Sequence, residues 1–274
     1  MAPITTSRIV GTVLLFTSPA ILPQRLLAQI QNPTIASLPP SRIIAPASSY
    51  AFPTEKYVFS VHWQFFNAGI STVAMQRTPA GLRVTATADS AGMPDKIFRV
   101  HDLFNAEVDP RTFCTLHVRK HNEEGPRRRD FDIVLDYARG KSRLDMHDLK
   151  TSETKHTEFD IPPCATDLVS GFFYVASLPL APGFSHTFPV NDNGKTIDTR
   201  IQVEAREKVK GPAGEFQTLR VKAEPMSGPM KGKVTLWVWY TDDSRHMPVQ
   251  MKSKLGFATL SFQLQKPGPQ ASGN

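Results

Sequence analysis

The sequence predicts an all-β, mainly antiparallel fold: a curled sheet, barrel-like or a sandwich, of roughly a dozen strands with one helix in the middle of the chain. Three observations lead there. Apolar residues recur at every second position in run after run between Glu55 and Gln265, which is the period of a half-buried strand. Clusters of Gly, Pro, Asn, Asp or charged residues separate the runs, and most are short enough for hairpins. One segment, 167–178, switches to helical spacing.

The first run puts Tyr57, Phe59, Val61, Trp63 and Phe65 on one face and Ser60, His62 and Gln64 on the other, with Asn67-Ala68-Gly69 as the expected turn. Further strands are expected at 70–77, 82–89, 97–108, 113–121, 130–138, 142–148 and 156–161. The helix follows, with Leu168, Phe172 and Val175 flanked by Val169, Phe173 and Ala176 behind an Asp or Thr cap. Pro179, Pro182 and Gly183 end it, and its wide apolar girth is expected to pack on the concave side of the sheet. Strands resume at 184–190, turn through Asn191-Asp192-Asn193-Gly194, and continue at 196–208, 216–223, 233–240, 247–254 and 257–265. So many strands exceed what an open twisted sheet holds without curling or splitting into layers.

The chain ends read differently. Arg8 precedes the apolar run Ile9–Phe16, and the stretch closes at Leu26-Leu27-Ala28, so residues 1–28 read as a secretory signal peptide cut after Ala20 or Ala28. Thr12, Thr17, Ser18 and Pro19 interrupt the apolar stretch, which falls short of the roughly 20 residues of a membrane span. No cysteine lies near either cut, which argues against a lipoprotein anchor. Residues 29–54, with five prolines from Pro33 to Pro53, read as a Pro-rich linker, and 266–274 as a disordered tail. A single β-rich domain, 55–265, remains. The expected location is periplasmic or secreted, with no transmembrane segment after cleavage. There Cys114 and Cys164 are expected to form a disulfide, closing a separation of 50 residues.

A formal charge of +7, less Arg8 and Arg25 after processing, is a weak pointer to anionic partners. Arg119 and Lys120 on one side, and Arg127, Arg128 and Arg129 on the other, gather positive charge around the expected turn Glu123-Glu124-Gly125-Pro126. That cluster is either a solvated hairpin tip or a contact for an anionic envelope component. Export, and the lack of interleaved aromatics, argue against nucleic acid.

The run from Trp239 through Asp242, Asp243 and Arg245 to Pro248-Val249 resembles the W-x-x-D-D-x-R-x-x-P-V signature of an exported bacterial family known only as domain of unknown function thirty-one-oh-eight. Asn67-Ala68-Gly69, Asp167-Leu168-Val169-Ser170 with Tyr174, Asn193-Gly194-Lys195 and Gly214-Glu215-Phe216-Gln217-Thr218 fit the same pattern. His246 stands where the family often has a second basic residue. The resemblance implies a periplasmic, β-rich, non-enzymatic protein and carries over no catalytic residue.

Signatures of chemistry fail on their own geometry. Asp242-Asp243-Ser244-Arg245 reads as a tight polar turn held by an Asp–Arg pair, with Pro248 opening the returning strand. Adjacent strand carboxylates face opposite ways, whereas an acid/base pair must share one site. Ser152-Glu153-Thr154-Lys155 lacks a helix to bring Lys155 to Ser152, Ser170-Gly171 lacks the preceding glycine of a nucleophile elbow, and Gly194-Lys195-Thr196 has Pro189 where a phosphate loop needs glycine. His117 and His121 on one strand lie about 13 Å apart. No catalytic, cofactor or metal residue is assigned, and no cofactor is expected. The favoured function is a non-catalytic binding protein for an apolar or amphipathic envelope molecule or an envelope protein. Trp63, Phe65, Phe172, Phe173, Trp237 and Trp239 either line its cavity or fill its core. The alternative is an envelope hydrolase using dispersed carboxylates such as Asp242 and Asp243.

Overall fold

The computed structural model describes residues 42–47, 50–64, 66–255 and 258–265. The expected signal peptide, much of the linker, Phe65 and the expected tail lie outside the described residues. The strands are β1 (Lys56–Trp63), β2 (Phe66–Thr78), β3 (Gly81–Ser90), β4 (Val100–Val108), β5 (Thr115–Glu124), β6 (Arg127–Asp136), β7 (Lys141–Asp148) and β8 (Thr154–Asp160). After them come β9 (Thr166–Asp167), β10 (Ser185–Asp192), β11 (Lys195–Gly211), β12 (Gly214–Pro225), β13 (Val234–Thr241), β14 (Pro248–Leu255) and β15 (Ala258–Leu264). Two short helices interrupt them, α1 (Gly92–Ile97) and α2 (Ser170–Ala176).

All fifteen strands belong to one sheet. It runs from β8 back to β1, crosses to β15 through the pairing Phe59↔Leu264, and runs back to β9. Every pairing is antiparallel except the two-residue β9 on β10, as short hairpin connections require. The sheet is curled and not closed by a ladder, with β8 and β9 as its edges. Side chains bring edge strand β8 against the β10–β11 hairpin: the Lys195 ammonium lies 5.3 Å from the Phe159 ring centre. Gly194 packs so tightly on Phe159 that an added Cβ would come within 2.9 Å of the ring. Asn193 and Gly194 turn β10 into β11 with φ of +49° and +79°, the two left-handed positions a tight hairpin demands.

Register places alternate residues inside the curl. Phe59, Met75, Val84, Ala106, Val118, Ile133, Ile201, Val203, Val221, Val238 and Tyr240 form one buried core. One end is filled. There Phe173 of α2 stacks on Tyr57 at 6.4 Å, and Tyr174 meets Phe188 at 4.7 Å and Phe113 at 5.7 Å. The Tyr240 hydroxyl donates to the Phe172 carbonyl at 3.0 Å, so burial of that polar tip is satisfied. Asp167, almost wholly buried, accepts from the Thr115 hydroxyl at 2.7 Å and from the Val169 and Ser170 amides at 2.9 and 2.8 Å. The Cys114–Cys164 disulfide ties the loop before β5 to the entry of β9. The segment before β1 covers the same end, its Ile44 amide donating to the Tyr174 hydroxyl at 3.0 Å.

Several expectations change. The chain reverses before Phe66, and Asn67-Ala68-Gly69 lies inside β2, where the register shifts against Val61 and His62. The Asn67 side chain accepts the Gly69 amide at 3.0 Å, and the local device is a bulge. The strand expected from Ile97 starts at Val100, behind α1, an unexpected helix. The middle helix is shorter than its periodic stretch. Its cap position is Val169, and the expected Asp acts from Asp167, two residues earlier.

Candidate functional site

Along β4 to β7 the inward residues change character with height. Val108, Val118, Ile133 and Leu144 give way to Phe104, Phe131 and Met146, then to Asp102, Asn122, Arg129 and Asp148, and finally to Glu124 and Arg127. Period-two alternation carries charge onto the concave face at the end opposite α2. The result is a polar pocket of about 330 Å³ lined by Lys120, Asn122, Glu124, Arg127, Arg129, Phe131, Asp192 and Asn193.

Its charges are partly matched. The Lys120 ammonium donates to Asp192 at 2.6 Å and to the Asn193 side chain at 3.2 Å, across from β5 to the β10–β11 hairpin. Arg129 donates to Asp148 at 3.2 Å. Arg127 and Glu124, directly opposite one another, have no ion pair among the described residues. Beside them Asp102 faces Asn122. One oxygen of each, Oδ1, is buried without a hydrogen-bond partner among the described residues, while the Asp102 carboxyl is also within reach of the Asn122 side chain and the Glu123 amide. Burial, reinforced by the Glu124 charge, pushes the Asp102 carboxyl up to about 6.

At the same end of the sheet the inner row of β1, β2 and β15 is apolar. Trp63 is opposite both Phe66 and Leu260, on the same inner row, and all three are exposed. Charge on one side and aromatic surface on the other make the mouth amphipathic.

The outer face of β3 to β8 carries a shallower groove of about 680 Å³ between two rows of outward side chains, one including Arg119, Asp132 and Asp145, the other His121, Asp130 and His147. Histidines pair with acids across neighbouring strands there: His101 with Asp89 at 2.5 Å, His117 with Asp132 at 2.9 Å, His121 with Asp130 at 2.6 Å and His156 with Asp145 at 2.7 Å. The bond to Asp130 holds His121 above its usual titration range. Among the described residues no group of three or more His, Cys, Asp or Glu could hold a metal ion.

The residues singled out from the sequence fall apart into different places. Arg127, Arg128 and Arg129 are the first residues of β6 and alternate faces. Arg127 and Arg129 enter the pocket, whereas Arg128 points outward to Glu123 at 3.6 Å. Lys120 joins the pocket, and Arg119 lies outside on Asp132 at 3.5 Å.

The Trp239 to Pro248 motif lies at the filled end or on the outer face. Trp239 lies opposite Arg220 on the outer face, buried beneath it and Lys252, and its indole donates to Glu207. Trp237 shares that face, so neither tryptophan lines the interior. Asp242 is held by Arg206, and Asp243 by Arg245 at 2.9 Å. Burial works to raise the Asp243 carboxyl, but bonds from Arg245 and the Thr241 hydroxyl outweigh it and hold it low. His246 reaches the Ala176 carbonyl at 2.7 Å, docking the turn on α2, and Pro248 opens β14 opposite Tyr240.

Asp102, Asn122, Asp192 and Asn193 escaped the sequence reading as site residues. The available signal was polar residues on the apolar phase of β4 and β5.

Among solved structures, a beta-barrel-like protein of domain of unknown function DUF1849 from Brucella abortus matches with a TM-score of 0.54 at 9% identity, covering 83% of this chain and 98% of that one. A candidate lipoprotein from Parabacteroides distasonis (TM-score 0.31, 13% identity, 78% and 96% covered) also matches. So does a candidate exported protein with YmcC-like fold from Bacteroides fragilis (TM-score 0.31, 11% identity, 84% and 100% covered). The Brucella likeness shows a shared barrel-like fold and nothing finer. No curated protein matches the sequence. The family model described as protein of unknown function (DUF3108) matches residues 58–265, from β1 to the residue after β15, and the chain belongs to that family.

Proposed function

We propose that the protein is a non-catalytic binding protein of the cell envelope that takes an amphipathic molecule at its open mouth. The polar group enters the pocket between Arg127, Glu124 and Asp192, and the apolar part lies on Trp63, Phe66 and Leu260. The observation that carries this reading is the two-sided mouth, above all the unpaired Arg127 and Glu124 beside the orphaned oxygens of Asp102 and Asn122. A preformed pocket with a few convergent polar groups next to apolar surface is what orients a small amphiphile. The unpaired guanidinium suits an anionic group, and the carboxylates suit an ammonium or hydroxyl donor. The disulfide fits an extracytoplasmic location, where envelope amphiphiles are found.

Native mass spectrometry of the protein purified from its own periplasm tests the reading. A lipid-sized adduct that leaves on denaturation, and that Arg127→Glu diminishes, is the expected result. A clean apo mass for the wild type overturns it.

A further inference from the structure

We infer that the open end docks on the surface of an anionic lipid bilayer. The inference stands on the loops around the mouth, not on the pocket, and so goes beyond the ligand-binding reading. Large apolar side chains are exposed there on several separate segments, three of them beside cations. On α1 and the residues after it, Ile97 is 75% exposed and Met93 62%, next to Lys96 and Arg99. On the β7–β8 loop Leu149 adjoins Lys150, and on the β12–β13 loop Met230 adjoins Lys231 and Lys233. Phe66, 57% exposed, starts β2.

Backbone contacts join much of this rim into one surface. Ala91, just before α1, donates to Ala68 at 2.9 Å, Gly125 donates to Arg99 at 2.7 Å, and Leu149 donates to Arg128 at 2.9 Å. Lys96, Arg99, Lys150, Lys231, Lys233 and Lys254 are exposed and have no ion pair among the described residues, whereas most cations of the outer strands are matched. Of the rim acids, Glu123, Asp148, Glu153 and Asp192 are held by Arg128, Arg129, Lys155 and Lys120, which leaves Asp95 and Glu124 to offset this in part.

An apolar surface of this kind marks an interaction site, and the unmatched cations choose its occupant. A headgroup layer carrying negative charge receives the lysines and arginines while Ile97, Met93 and Phe66 enter the acyl boundary.

Flotation of the full exported chain with vesicles of phosphatidylglycerol and phosphatidylethanolamine, against vesicles of phosphatidylcholine, tests this. The expected result is binding to the anionic vesicles that falls steeply with salt. Lys231→Gln with Lys233→Gln, outside the pocket lining, should weaken it about thirtyfold, the worth of two cations at such a surface, and Ile97→Glu should weaken it further. Lys210→Glu at the filled end is the control and leaves binding unchanged. No binding to anionic vesicles, equal binding to both vesicle types, or binding indifferent to both rim variants overturns the inference. A lipid adduct in native mass spectrometry alongside failed flotation removes docking alone and leaves the pocket reading intact.

Discussion

The two ends of the curled sheet differ in what fills them: aromatic side chains and α2 at one, charged and exposed apolar side chains at the other. At the filled end most buried polar groups are satisfied: Asp167 accepts three hydrogen bonds, Tyr240 and Tyr174 place their hydroxyls on backbone groups, and Asp243 is gripped by Arg245 and Thr241, although the Tyr50 and Ser170 hydroxyls there are buried without a partner among the described residues. At the open end buried acceptors on Asp102 and Asn122 have no donor, Arg127 and Glu124 are unpaired, and apolar side chains face outward. Satisfied groups stabilise a fold, whereas unmatched charges at a surface leave it able to take up a partner. Several of the residues that carry the family resemblance, Asp167, Tyr174, Asp243 and Pro248, serve the first end. These residues describe how the fold is closed, whereas Asn67-Ala68-Gly69 and Asn193-Gly194-Lys195 of the same pattern lie at the opposite end, where Asn193 lines the pocket.

Perturbing each end sharpens or breaks this contrast. Cys114→Ser with Cys164→Ser, which opens a 50-residue separation, is expected to cost about 4 kcal/mol in urea unfolding. Asp167→Ala strands three donors, two of them buried, and is expected to cost about 3 kcal/mol. A loss below about 1 kcal/mol for either would mean that the filled end does not dominate stability.

Asp102→Asn reverses the sign. The raised carboxyl binds its proton more tightly in the folded state than in the unfolded chain, so folding stability falls as pH rises from near 4 through about 6. The amide removes that penalty and should raise stability by about 1 kcal/mol at pH 8, discounted for a half-exposed group, with no gain at pH 4. Thermal melts at the two pH values decide it, and an equal shift at both would show that the carboxylate charge is not the cause. Ile97→Glu, at an exposed rim position, is expected to move stability by less than about 0.5 kcal/mol. A larger loss would mean that α1 supports the fold instead of presenting a surface.

Much of the architecture was legible because strand alternation is a local property. The runs from Tyr57 and Lys233, the reversal at Asn193-Gly194 and the pairing of the two cysteines follow from neighbours in sequence and from compartment chemistry. The bulge at Asn67-Ala68-Gly69 was read as a turn because the same small and polar residues serve both, and only the partner strand distinguishes them. Helix α1 was missed because six residues holding Gly92 and Pro94, none of them buried, leave no periodic pattern.

The candidate site was less legible, since its members come from β5, β6 and the distant β10–β11 hairpin. Arg127 to Arg129 looked like one basic patch, yet strand pleating sends two inward and one out. Trp237 and Trp239 alternate with Val238 and Tyr240, which face the inside of the curl, so they line no cavity, although Trp239 is buried and counts with the hydrophobic core. By itself the sequence determined the strand class, the positions of most reversals, the helix in the middle and the cysteine pair, all governed by short-range periodicity and by chain chemistry. Only the tertiary structure decided which face of each strand is inside, which end is filled and which charges are left unmatched, because those depend on register between strands far apart in the chain.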